Sequence, residues 1–237
     1  INIFGNNITR ESVIRNQLYI DEGDPFNEIL AKKSVNEIKS LNFFKNVETE
    51  ILDVENENTK IINITVEEKP TGEIYAQAGA GTSGGSFGFG IKENNFLGNG
   101  VNLDTNFELS GDSFKGKFSV SNPNFNNSDK SLYVSAEAIE YDNFQTFGYK
   151  TNKKGIRVGT NFEYLNDFYL GINNSNFYEV IDTNSTASSQ QQAQEGNYWD
   201  TFFKFDINYD KRNQKFQTSS GFKSFYSLDL PIISDTN

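Results

Sequence analysis

From Thr71 to Leu230 the chain keeps a period of two and shows no apolar helical period. Apolar and polar residues alternate in segments joined by links rich in Gly, Asn, Asp and Ser. Successive side chains of a strand point to opposite faces, so this region is committed to antiparallel β-structure with one apolar and one polar face. Val101, Leu103, Thr105, Phe107 and Leu109 oppose Asn102, Asp104, Asn106, Glu108 and Ser110. Phe203, Phe205, Ile207 and Tyr209 oppose Lys204, Asp206 and Asn208. The first segment sets Ile74, Ala76, Ala78 and Ala80 against Tyr75, Gln77, Gly79 and Gly81.

Two architectures satisfy such a pattern. A soluble sandwich turns the apolar face to a core, whereas an outer-membrane barrel turns it to lipid and lines a wet interior with the polar face. Three features favour the barrel. The segments approach the length, about ten residues, that crosses a bilayer when tilted. Their polar faces mix opposite charges with glycine, which suits a lumen. Aromatics stand at segment ends (Phe96, Phe125, Tyr141, Tyr178 and Trp199), where girdles at the membrane interfaces are expected. Composition agrees, since mean hydropathy is -0.60 although the chain holds 22 Phe and 11 Tyr. No apolar run is long enough for a membrane-spanning helix. An odd number of strands cannot close a bacterial single-chain barrel, so the alternating region is expected to be part of a larger one.

Residues 1–70 follow another pattern. "INIFG" reads as a short strand, and Thr9 opens a helix with Glu11 in its first turn and Val13, Ile14 and Leu18 on one face. A second helix is expected from Phe26 to Leu41, with Ile29, Leu30, Val35, Ile38 and Leu41 at helical spacing. "FKNVETEILDV" and "TKIINITVEEK" then alternate on either side of the polar turn "ENEN". The order β-α-α-β-β describes a small α+β module over 1–70, followed by the β-region 71–237.

"GAGTSGGSFGFG" contains a formal dinucleotide fingerprint, Gly79-x-Gly81-x-x-Gly84. That motif needs a helix opening at its last glycine. Phe87, Phe89 and Ile91 alternate instead with Gly88 and Gly90, so no phosphate cradle is present. Glycine on the polar face has two readings. It permits curvature and close approach of a neighbouring strand, or it weakens the first strand so that this strand can unpair.

Other chemistries are poorly supplied. With no Cys and no His, thiol nucleophiles, Ser-His pairs and most zinc sites are excluded, and neither catalytic residues, metal ligands nor a cofactor are expected. The net charge of -11 leaves no electrostatic footprint for nucleic acid.

The α+β module running into "VEEKPTGEI", then "GSFGFGIKENNFLGNG", "VSNPNF" and "NYDKRNQKFQTSSG", resembles the BamA family of outer-membrane β-barrel assembly proteins, within a POTRA-plus-barrel superfamily. The likeness covers essentially the whole chain. It departs in "FQTSSG", where the family pattern has proline near Gln217. The resemblance implies a last POTRA domain followed by antiparallel transmembrane β-barrel strands, about nine of an expected sixteen. It implies a protein of the bacterial outer membrane whose N-terminal module lies in the periplasm. The implied partners are unfolded outer-membrane β-barrel proteins, accessory assembly lipoproteins and outer-membrane lipid. Insertion would proceed without an enzyme's active site, by pairing a client strand with the backbone of Ile74, Tyr75, Ala76, Gln77, Ala78, Gly79, Ala80 and Gly81. The POTRA edge strand would be Val47, Glu48, Thr49, Glu50 and Ile51, open to clients or lipoproteins, or merely blunted by its two glutamates. A TamA-like assembly factor or a secretion transporter of the same superfamily is the nearest alternative. A diffusion porin would not need the first module.

Overall fold

The structure, a computed structural model, describes residues 1–54, 59–81, 84–212 and 218–234. The "ENEN" turn and the position of Gln217 lie outside these residues. The chain divides into two compact units. One comprises 1–73, 93–102 and 126–128, and the other 74–92, 103–125 and 129–237.

In the first unit the elements are β1 (Asn2–Phe4), α1 (Glu11–Arg15), α2 (Glu28–Ser40), β2 (Phe44–Asp53) and β3 (Lys60–Glu68). The three strands form a sheet of order β1-β3-β2, with β1 parallel and β2 antiparallel to β3. Helical spacing buries one stripe of each helix on this sheet, and Ile14 and Ile38 are fully enclosed with Val13, Phe43, Phe44, Val47, Ile62, Ile64 and Val66. Leu18 lies past the end of α1 but still packs against this core.

Both helices start later than their apolar periodicity suggests. At α2 the cap is Asn27, whose side chain accepts from the backbone N–H groups of Ile29 and Leu30 at 2.9 and 3.2 Å. At α1 Thr9 is not the cap. Arg10 holds that position without a side-chain bond, and the buried Thr9 hydroxyl accepts from Asn95 instead. A long-range partner has taken the residue that local chemistry would use as a cap.

The second unit is built on one antiparallel sheet of nine strands in simple sequence order. The strands are β4 (Gly72–Gly81), β5 (Gly84–Phe96), β6 (Val101–Ser110), β7 (Ser113–Asn122), β8 (Lys130–Asn143), β9 (Tyr149–Leu165), β10 (Phe168–Thr183), β11 (Gly196–Asp210) and β12 (Lys223–Ser234). A short helix, α3 (Ser189–Gln192), lies in the link between β10 and β11 and is closed by a capping box from Ser188 and Gln191. No helix among the described residues is long and apolar enough to cross a membrane, which says nothing about crossing with strands.

The alternation read from the sequence is kept, but several strands outrun the expected ten residues: β9 has 17 and β10 has 16. On β9 the extra length is polar on the otherwise apolar face. Lys150 on β9 pairs there with Glu140 at 2.8 Å and Asp142 at 3.2 Å. The alternation signal fades where both faces become hydrophilic, so sequence reading stopped short of the true strand ends.

Candidate functional site

Among the described residues β4 stands at one end of the nine-stranded sheet, beside β5, and β12 at the other. An edge strand leaves every second residue with an unpaired backbone N–H and C=O. Ile74 through Gly81, the residues expected to receive a client strand, all lie on this edge. The polar face of β4 explains the glycines of β5. The Tyr75 ring lies over Gly90, where any Cβ would overlap it, and the Gln77 side chain lies over Gly88 at a spacing no Cβ could share. Glycine here is a seat for a neighbour's side chain, which is the close-approach reading.

The same device recurs inside the sheet, where no local pattern marks it. Phe177 on β10, only 6% exposed, occupies the gap above Gly155 on β9. Lys153 and Arg157 flank that gap, their cationic groups 5.1 and 4.9 Å from the ring centroid. Each cation also holds a carboxylate. Arg157 donates to both oxygens of Glu137 at 3.0 and 2.9 Å, and Lys153 reaches Glu179 at 3.3 Å. The polar face is thus a network of paired charges braced by one buried ring.

The apolar face carries aromatic rows. Phe168 and Tyr209 stand at one end with ring centroids 6.3 Å apart, and Tyr178 and Trp199 at the other with 6.2 Å. On β10 the rows are ten positions apart, about 33 Å along a strand and about 25 Å once the strand is tilted by about 40°, which is the height of an outer-membrane apolar band. Asn174, Asn176 and Thr201 interrupt this surface but satisfy one another. Trp199 Nε1 donates to Thr201 Oγ1 (3.2 Å), which donates to Asn176 Oδ1 (2.9 Å). Asn176 Nδ2 donates in turn to Asn174 Oδ1 (2.6 Å).

The expected girdle residues do not all share this surface. Tyr141 is opposite Ser113 and Thr151 on the polar face, with the Lys115 ammonium 5.8 Å from its ring centroid. A segment-end position says nothing about which face is presented, and register decides it. Phe96 closes β5 within the first unit, and Phe125 is exposed in a tight turn after β7.

Among the described residues of the first unit β2 pairs with β3 alone, so Val47 to Ile51 lie on a terminal strand. Val47 is buried in the core, whereas Glu48, Thr49 and Glu50 are exposed and Ile51 is 41% exposed. A groove of about 600 Å³ runs beside this edge, between Thr49 and Ile51 on β2 and Ala31 and Val35 on α2.

The "NNFLGNG" stretch supports the first unit in a way its sequence does not reveal. Asn95 Nδ2 donates to Thr9 Oγ1 at 2.8 Å, while Asn95 Oδ1 accepts from the Gly100 N–H at 2.8 Å. The Arg10 N–H donates to the Gly98 carbonyl at 2.9 Å. Gly98 has φ +71 and its missing Cβ leaves room for the Ile8 carbonyl, so only glycine fits. The Ile8 loop is held from beneath by Glu68, whose carboxylate accepts from the N–H groups of Asn7 (3.0 Å), Ile8 (2.9 Å) and Thr9 (2.6 Å). Burial alone would raise the pKa of Glu68. The backbone and hydroxyl of Thr9, then the N–H groups of Ile8 and Asn7, outweigh it and hold the carboxyl below its usual range.

These features agree with what known proteins show. Residues 95–233 match the Omp85 superfamily domain, and residues 1–69 match the surface antigen variable number repeat, a POTRA model. The chain is 35% identical over 99 residues to the outer membrane protein assembly factor BamA of Neorickettsia risticii, covering 41% of this chain and 13% of that protein. It is 26% identical over 231 residues to BamA of Nitratidesulfovibrio vulgaris, covering 85% and 28%. The chain therefore spans well under half the length of these relatives. Among solved structures, BamA from Haemophilus ducreyi lacking POTRA domains 1-3 superposes with a TM-score of 0.71 at 21% identity, over 97% of this chain and 47% of that one. CdiB from Escherichia coli superposes with a TM-score of 0.59 at 14% identity, over 98% and 45%. BamA and its Omp85 homologues are outer-membrane proteins with periplasmic POTRA domains. With a family match over more than half of its residues and a POTRA match before it, the chain belongs to the Omp85 superfamily of outer-membrane proteins.

Proposed function

We propose that this chain assembles and inserts β-barrel proteins into the outer membrane, with residues 1–70 as its periplasmic POTRA module and 71–237 as barrel strands. The observation that carries the reading is the build of β4: its polar side chains Tyr75 and Gln77 seat on Gly90 and Gly88 of β5, while its apolar face is alanine apart from Ile74, so what it offers a further strand is its backbone. A client strand pairs with Ile74 to Gly81 by β-augmentation, which needs main-chain groups and little side-chain sequence. Closure of the client then removes its own exposed edge, and that supplies the driving force without an enzymatic step. The edge of β2 and its groove against α2 suit an extended segment of a client or of an accessory lipoprotein. Tyr178 and Trp199 anchor the apolar face at a lipid interface.

The test uses the absence of native cysteine from these residues. Single cysteines along Ile74 to Gly81 are paired with single cysteines on the last strand of an unfolded barrel client, in liposomes holding the intact protein. Disulfides that follow one antiparallel register support edge pairing. Steady ion conductance with no such disulfides overturns it and favours a secretion transporter of the same superfamily.

A further inference from the structure

Cross-strand register aligns Gly116, Ala138, Lys154, Tyr178 and Trp199 in one row from β7 to β11 on the apolar face. The next row toward the middle of the band is Phe118, Ala136, Ile156, Asn176 and Thr201. Gly116, Ala136 and Ala138 are too small to fill their share of this surface, while Phe107, Phe114 and Phe118 stand on one side and Ile156, Tyr178 and Trp199 on the other. The result is a trough of about 680 Å³ with almost wholly apolar walls. Lys154 stands at its rim. On β8 and β9 the row beyond it holds Glu140 and Asn152, and the next holds Asp142 and Lys150, so on these two strands the apolar surface ends at Lys154.

The charge of Lys154 is unusual for its surroundings. Its neighbours Lys150 and Lys153 each hold carboxylates, yet Lys154 forms no ion pair among the described residues and its side chain is exposed. An unpaired ammonium beside an interfacial Tyr and Trp, at the rim of a shallow apolar trough, has both ends of an anionic lipid represented: a cation for the headgroup and an open apolar surface for the chain.

We propose that this trough binds an acyl lipid of the surrounding membrane whose phosphate headgroup is net anionic, that phosphate on Lys154 and one acyl chain lying over Gly116, Ala136 and Ala138. The inference rests on the reading that the apolar face of β6 to β11 meets lipid. It adds a defined site and a headgroup preference to what would otherwise be undifferentiated annular contact.

Trp199 is the single tryptophan of the 237 residues and sits at the trough, so its fluorescence reports occupancy directly. The intact protein, carrying Trp199 as its only tryptophan, is reconstituted in phosphatidylcholine vesicles. A dibrominated-acyl quencher is added as phosphatidate or as phosphatidylcholine at equal mole fraction. The expected result is stronger quenching by the phosphatidate, corresponding to about fivefold preference at low salt for one lysine. Lys154→Gln equalises the two quenchers, and Lys154→Arg keeps the preference. Equal quenching of the unsubstituted protein by both lipids overturns the proposal, as does a preference that survives in Lys154→Gln. Quenching by neither lipid is a different failure, because it removes the apolar face from the bilayer and the membrane-spanning reading with it.

Discussion

Replacing Glu68 with glutamine removes one charge and almost no volume, yet it should loosen the loop on which the "NNFLGNG" turn rests. Three successive N–H groups, those of Asn7, Ile8 and Thr9, converge on this carboxylate at 3.0, 2.9 and 2.6 Å. A carboxylate has lone pairs for all three, whereas a glutamine has one carbonyl oxygen and turns an NH2 toward at least one backbone donor. Bonds to a charged acceptor contribute about 1.5–3 kcal/mol against about 1 for a neutral one, and a stranded donor costs about as much again. Glu68→Gln should therefore weaken the clamp by about 2–3 kcal/mol, which is about 30–150-fold in the local opening equilibrium. Hydrogen exchange at neutral pH, measured on the intact protein in detergent micelles, reads this directly at the amides of Asn7, Ile8, Thr9 and Arg10. The sign of the pH effect follows from the lowered pKa of Glu68. The stabilisation is fully present above the ordinary carboxyl value of 4.5 and is lost as pH falls through the lower folded value. The gap between the two proteins should therefore close in acid. Glu67→Gln is the control, since its pair with Lys45 is exposed on both sides and contributes little. Exchange at these amides within about twofold of the unsubstituted protein would refute the reasoning, because the clamp would then be geometry without energy.

Two other perturbations test the sheet. Gly155→Ala places a Cβ into the Phe177 ring and against the Asn176 carbonyl, and so displaces the ring from between Lys153 and Arg157. An overpacking cost of about 1–3 kcal/mol is expected, read as a lower midpoint in thermal unfolding of the protein in micelles, and an unchanged midpoint counts against the ring's bracing role. Thr201→Val cuts the chain from Trp199 to Asn174 and leaves the indole N–H and the Asn176 carbonyl short of a partner on the apolar face. A loss of about 1 kcal/mol is expected by denaturant titration in the same micelles, with a shifted Trp199 emission maximum as the local signature.

The architecture was legible because each strand carries its own signal. Phe203, Phe205 and Ile207 against Lys204 and Asp206 fix which side of β11 is apolar without reference to any neighbour, and the helical stripe of Ile38 and Val35 does the same for α2. What was not legible depended on two segments at once. Tyr141 ends an alternating run, but only its pairing with Ser113 and Thr151 puts it on the polar face. Phe177 lies in the polar stretch "NNSNFYEV" and reads as an ordinary aromatic until Gly155 is found across from it. Thr9 has the chemistry of a helix cap and Asn95 that of a turn residue, and nothing local says that each is the other's partner.

That distinction bears on β4, the strand proposed to pair with a client. Gly79 and Gly81 predict a weak strand, because glycine costs backbone entropy and offers no side chain to pack. The structure moves part of that argument to the next strand. Gly88 and Gly90 on β5 receive Gln77 and Tyr75, so the polar face of β4 is seated on its one neighbour. The apolar face has no such seating. There Ile74 is 74% exposed and the remaining positions are alanine, which offers lipid little area. The two faces thus act in opposite senses: side chains of the polar face hold β4 to β5, while its apolar face offers little to hold it in place. A strand that is to accept a client needs both properties, since it must remain in the sheet while its outer edge exchanges partners.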